Sequence, residues 1–150
     1  MKNRLGMICL LYIEDDRISA MIMQKFFEKV DSSGVAEAQH TDVSARLITR
    51  NAFRVDLAPD PFTALEKLQS YKYDLVLMDI NLGDDELDGV ELLHSMRKME
   101  DYQHTPVFAV TSYAMPEDRS RFLELGFDRY FSKPVEQHAI VRAVCEELEL

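Results

Sequence analysis

The sequence predicts an α/β fold, a doubly wound parallel sheet covered by helices on both faces. Three observations predict it. Short apolar runs alternate with amphipathic helical patterns along the chain. Those runs hold few polar residues, as strands buried on both faces do. Two of them, Ile8-Cys9-Leu10-Leu11-Tyr12-Ile13 and Leu75-Val76-Leu77-Met78, stop abruptly at carboxylates. Parallel strands would set those acids at one carboxyl edge, where open α/β sheets bind ligands.

The first strand is expected over 8–13. The helix after it carries Ile18, Met21, Ile22 and Phe26 at spacings of three and four, which marks them as its core face. A second strand is expected over 53–58. Asp60 and Pro61 then read as N-cap and first residue of a helix that turns Leu65 and Leu68 inward. The third strand spans 75–79, and its helix carries Val90, Leu93 and Met96. The fourth spans 107–111. Pro116-Glu117-Asp118 opens the next helix with acids at its positive end, Phe122 and Leu125 face inward, and Gly126 fits the cap that ends it. The fifth strand spans 129–132, and Ile140, Val144 and Leu148 line the last helix. Residues 31–52 form a long connection after the first helix. Val43, Leu47 and Ile48 suggest a short extra helix near 42–50 within it. A tolerated surface excursion and a partner or dimer contact both stay open for this insertion.

With 150 residues, one domain over 1–150 is expected, and a hydrophobic fraction of 47% is enough for a core. No apolar stretch approaches the ~20 residues of a membrane span. Met1-Lys2-Asn3-Arg4 runs into the first strand without a cleavage site, so no signal peptide is expected. These features give a cytoplasmic expectation with no membrane partner. A net charge of −10 disfavours direct nucleic-acid binding. Cys9 and Cys145 share no metal-type spacing and read as small buried hydrophobes in a reducing compartment. His40, His94, His104 and His138 have polar neighbours and read as solvated.

The carboxylates Glu14, Asp15 and Asp79 repel one another at a shared edge and invite a hard divalent cation. Thr111 ends the fourth strand and Lys133-Pro134 the fifth, so a hydroxyl and an ammonium join the same edge. Each has a role if a phosphoryl group is transferred to Asp79. The carboxylate is then the nucleophile, forming an acyl phosphate. Mg²⁺ held by Asp15, Asp79 and a backbone carbonyl offsets phosphate charge. Lys133 pairs with one phosphate oxygen and Thr111 donates a hydrogen bond to another. Singly these signals are weak; at four functional strand ends they reinforce one another.

The chain resembles the response-regulator receiver domain of two-component signalling, the CheY-like superfamily. The resemblance rests on Ile13-Glu14-Asp15-Asp16, on the run from Tyr73-Asp74 through Asp79-Ile80-Asn81, and on Leu87-Asp88-Gly89. Val110-Thr111-Ser112-Tyr113-Ala114-Met115 and Gly126-Phe127-Asp128-Arg129-Tyr130-Phe131-Ser132-Lys133-Pro134 complete it. It implies a flavodoxin-like, five-stranded sheet of order 2-1-3-4-5 with five helices. It implies Asp79 as phosphoacceptor, Asp15 as direct metal ligand, Glu14 as a ligand through water, and the Asn81 backbone carbonyl on the metal. Thr111 and Tyr130 are implied as switch residues, Lys133 as the phosphate-pairing cation on a cis Lys133-Pro134 bond, and Tyr113 as a shield against water. Asp16 falls one place after the acidic pair and reads as cap of the first helix. Two features depart from the family: the long, proline-free loop 81–88 and the insertion at 31–52.

The expected function is a phosphorylation-dependent switch. Asp79 would take its phosphoryl group from a histidine kinase or histidine phosphotransfer protein. The chain ends at the fifth helix, so no output domain is expected and signalling would run through protein contacts on the fourth helix, fifth strand and fifth helix. The downstream protein is unknown and a homodimer stays open. Catalysis is expected only of its own phosphorylation and dephosphorylation. Two other readings stay open: a degenerate receiver acting as a phosphorylation-independent binding module, and an aspartyl-nucleophile phosphohydrolase. The phosphohydrolase would need a general acid two residues after Asp79, where Asn81 stands.

Overall fold

The computed structural model describes residues 6–33, 52–80, 85–112 and 116–150. Elements run β1 (Met7–Ile13), α1 (Arg17–Ser33), β2 (Ala52–Ala58), α2 (Pro61–Ser70), β3 (Leu75–Asp79), α3 (Asp85–Arg97), a 3-10 turn (Glu100–Tyr102), β4 (Val107–Thr111), α4 (Pro116–Leu125), β5 (Arg129–Ser132) and α5 (Gln137–Glu147). All strand pairs are parallel, and the order is β2-β1-β3-β4-β5, as expected. Strands hold to the sequence limits within a residue because apolar runs and strand ends coincide.

Alternation along each strand divides the core in two. Leu10, Tyr12, Leu75, Leu77, Phe108 and Val110 pack on one face with Phe27, Ile140 and Val144. Leu11, Ile13, Val76, Met78, Val107 and Ala109 pack on the other with Leu68, Leu93, Met96 and Phe122. Both faces are therefore buried, which is why these strands tolerate almost no polar residue.

Local signals explain the helix ends. Asp60 caps α2 by accepting from the Thr63 N–H at 2.7 Å, with Pro61 beside it. Asp16 caps α1 in the same way, accepting from Ile18 at 3.0 Å. Gly126 ends α4 at φ +111°, a left-handed conformation that glycine adopts without a side-chain clash. Its N–H donates to Leu123 O and the Phe127 N–H to Phe122 O, closing a Schellman motif.

Several expectations need correction. On α1, Ile18, Met21 and Ile22 are 71%, 38% and 54% exposed, whereas Ala20, Met23 and Phe27 are buried. The helix carries apolar residues around more than one face, and the sheet takes the Ala20-Met23-Phe27 side; Phe26 packs only at its margin. Residues 31–33 belong to α1 and Ala52 to β2, so the insertion is shorter than 31–52. The remaining segment and its expected helix near 42–50 lie outside the described residues, as does His40. α3 begins at Asp85, which shortens the expected 81–88 loop. Cys9 is half-buried rather than buried; Cys145 is buried. The 3-10 turn was not foreseen. It buries Tyr102, whose hydroxyl donates to Tyr71 O.

Candidate functional site

Strand register sets the site. Ile13 is level with Met78, Asp79 with Val110, and Thr111 with Ser132. The next residues, Glu14 and Lys133, therefore join Asp79 and Thr111 at one edge. Backbone bonds fasten that edge: the Glu14 N–H donates to Ala58 O at 3.0 Å, and the Lys133 N–H to Thr111 O at 2.7 Å. The Lys133-Pro134 peptide is cis.

Glu14, Asp15 and Asp79 each bring a carboxylate oxygen within 4.8 Å of the others. They line a cleft of about 270 Å³, with Pro59, Asp60 and Gly89 among its other walls. Asp15 is exposed, whereas the side chains of Glu14 and Asp79 are 1% and 5% exposed. The Lys133 ammonium lies between the two buried acids, 2.7 Å from Glu14 Oε2 and 3.0 Å from Asp79 Oδ1. The contact to Asp79 has ion-pair distance without hydrogen-bond geometry, so Asp79 Oδ1 is a buried oxygen lacking a hydrogen bond.

Burial pushes the Asp79 carboxyl up to about 7; Lys133 opposes this and the Glu14 charge adds to it. For Lys133, burial works against the charged form, but Glu14 and Asp79 outweigh it and the ammonium is held above its ordinary value. Lys133 thus pairs with both buried acids, and Asp79 is the less satisfied of the two.

Glu14 has more partners than its sequence context indicated. Its Oε2 accepts from the Tyr12 hydroxyl at 3.1 Å, and its Oε1 from the Asp16 N–H at 3.1 Å. Tyr12 escaped the sequence reading because a strand aromatic is ordinarily core. The available signal was its spacing of two from Glu14, which puts both side chains on one face of a strand.

Thr111 is fully buried at the end of β4. Tyr130, on β5 level with Ala109, stacks on Phe122 at 5.6 Å between ring centroids and is half-buried. Burial and the nearby Asp118 raise its phenol. Tyr130 is therefore set against α4 and is not among the cleft-lining residues. Asn81 and Tyr113 lie outside the described residues.

A family model described as the response regulator receiver domain matches residues 37–145. The chain belongs to this family. The matched span begins after β1, and Glu14 and Asp15 join the site through the parallel register of β1 with β3.

Among curated relatives, this receiver is 34% identical to hybrid signal transduction histidine kinase I of Dictyostelium discoideum over 124 residues, 78% of the chain and 7% of that kinase. It is 29% identical to the polar-differentiation response regulator DivK of Brucella anthropi, covering 83% of each. The chain thus spans under a tenth of these histidine kinases, with 9% for signal transduction histidine-protein kinase BarA of Escherichia coli. Among solved structures it resembles the receiver domain of a Pseudomonas aeruginosa sensor histidine kinase, at TM-score 0.70 and 22% identity over 95% of this chain and 98% of that one. That likeness supports the fold. The neighbouring structure has a magnesium ion coordinated in its active-site cleft.

Proposed function

We propose that this receiver is a phosphorylation-dependent switch whose phosphoacceptor is Asp79. The observation that carries the reading is the Asp79 carboxylate itself. It is buried, lacks a hydrogen bond on Oδ1, and stands beside two further carboxylates and one ammonium.

These donors fit a hard divalent cation such as Mg²⁺. Oxygens around Mg²⁺ at about 2.1 Å stand roughly 3–4 Å apart, so the 4.8 Å grouping needs only small side-chain rotations. Asp15 and Asp79 would hold the ion, with Glu14 through water and the Asn81 carbonyl completing the set. When bound, Mg²⁺ offsets charge on the transferred phosphoryl oxygens.

The remaining chemistry belongs to the chain. One Asp79 oxygen attacks phosphorus on a phosphohistidine of a histidine kinase or phosphotransfer protein. An acyl O–P bond forms, the imidazole N–P bond breaks, and the imidazole nitrogen takes a proton. Lys133 pairs with a phosphoryl oxygen, and Thr111 donates a hydrogen bond to another. Tyr130 follows Thr111 and alters the α4–β5 surface read by a downstream protein. The first turns of α1, which follows the acidic pair, expose Ile18, Met21 and Ile22 and offer a protein donor an apolar contact.

Incubation with acetyl phosphate and Mg²⁺ should add one phosphoryl group by intact mass, and Asp79→Asn should abolish it. Equal labelling of that variant would defeat the assignment. No uptake by the wild type would return the chain to a phosphorylation-independent binding module.

A further inference from the structure

We propose that Tyr12 is a positioning residue for the acidic site, acting through Glu14; this rests on the metal-site reading above. Packing alone does not call for a hydroxyl here. Tyr12 is 1% exposed in a core face otherwise built by Leu10, Leu75, Leu77, Phe108 and Val110. A buried hydroxyl is costly unless it finds a partner. Its partner is the buried Glu14 Oε2, at 3.1 Å.

The same oxygen accepts from Lys133 Nζ, and the other carboxylate oxygen accepts from the Asp16 N–H. Three donors, two on Oε2 and one on Oε1, therefore hold the Glu14 carboxylate. The Tyr12 donor differs from the other two. Asp16 lies in the turn leading to α1, and Lys133 is shared with Asp79 and is the group that must follow a phosphoryl oxygen when one arrives. Tyr12 belongs to the interior strand β1, between β2 and β3, and its ring is packed in place. It holds Glu14 in register with Asp15 and Asp79 even when Lys133 turns away.

Groups that orient metal ligands through hydrogen bonds change affinity when removed, commonly by ten- to a hundredfold. Tyr12→Phe keeps the ring and deletes the hydroxyl. Mg²⁺ affinity, measured by isothermal titration calorimetry, should fall about tenfold. In a Glu14→Gln background, the same substitution should change Mg²⁺ affinity by less than twofold, because the hydroxyl then has no carboxylate to hold. A purely structural tyrosine would lower the melting temperature in EDTA and leave Mg²⁺ affinity unchanged.

Wild-type affinity retained within twofold in Tyr12→Phe would overturn the inference, as would an equal loss with and without Glu14. Failure of the wild type to bind Mg²⁺, or binding that survives Asp15→Asn, would instead overturn the metal-site reading beneath it.

Discussion

The Lys133 ammonium donates to Glu14 Oε2 at 2.7 Å, so the cation of the site rests on Glu14 while staying 3.0 Å from Asp79 Oδ1. It lies between two buried acids and hydrogen-bonds only one. The other, Asp79, keeps an oxygen open. That asymmetry underlies the following expectations.

Removing the cation should be costly. Lys133→Ala leaves Glu14 and Asp79 buried side by side without their positive partner. Deleting one member of a buried ion pair costs about 3–5 kcal/mol; the 22% exposure of Lys133 places this variant at the lower end. Urea unfolding at neutral pH in EDTA measures it. Lys133→Ala combined with Glu14→Gln should recover much of the loss, and no recovery would show that the lysine stabilises through something other than these acids.

Asp79 should make the metal-free protein less stable as pH rises. Its folded value lies near 7, above the ordinary 3.8. The folded state therefore holds this proton more tightly than the unfolded state. The resulting stabilisation is complete below about 4 and is lost as pH climbs through about 7, by at most about 1.4 kcal/mol per pH unit. Denaturation in EDTA at pH 5 and pH 8 should show the difference between wild type and Asp79→Asn changing over this window. A constant difference would contradict the raised value.

Mg²⁺ should reverse that penalty by supplying the missing positive charge. A cation that binds only the folded state adds RT ln(1 + [L]/Kd), about 2.7 kcal/mol at a hundredfold excess over Kd. The melting temperature should rise with Mg²⁺, and Asp15→Asn should remove most of the rise. Without metal, Asp79→Asn should melt above wild type, because one buried repulsion is gone. A magnesium shift that persists in both variants would place the metal elsewhere.

The two apolar sides of α1 should separate folding from donor contact. Ile18→Ser with Ile22→Ser alters residues 71% and 54% exposed, so each should shift stability by no more than about 0.5 kcal/mol. Phe27→Ala empties a fully buried site and should cost about 3–5 kcal/mol. The serine pair should slow transfer from a phosphohistidine protein while acetyl phosphate still labels Asp79 at the wild-type rate. Equal slowing with both donors would remove the exposed stripe from the docking surface.

Much of this molecule was legible in the linear sequence. The apolar runs fixed the strands because both sheet faces are covered, and the same runs ended at Glu14, Asp79, Thr111 and Lys133. Asp60-Pro61 and Gly126 marked helix ends through bonds made within a few residues. Such features depend on local chemistry, and local chemistry is written in order along the chain.

The tertiary structure decided what local order leaves open. Periodicity marked an apolar stripe on α1 and took Ile18, Met21 and Ile22 as its core face. The sheet buried Ala20, Met23 and Phe27, since a helix with apolar residues on several sides is oriented by the surface it meets. Lys133 and Glu14 are separated by 119 positions. Their contact, and the resting place it gives the ammonium, exists because parallel register brings the ends of β1, β3 and β5 to one level. Tyr12 acquired its role the same way: two residues from Glu14 in sequence, its hydroxyl has a purpose only once the fold removes both groups from water.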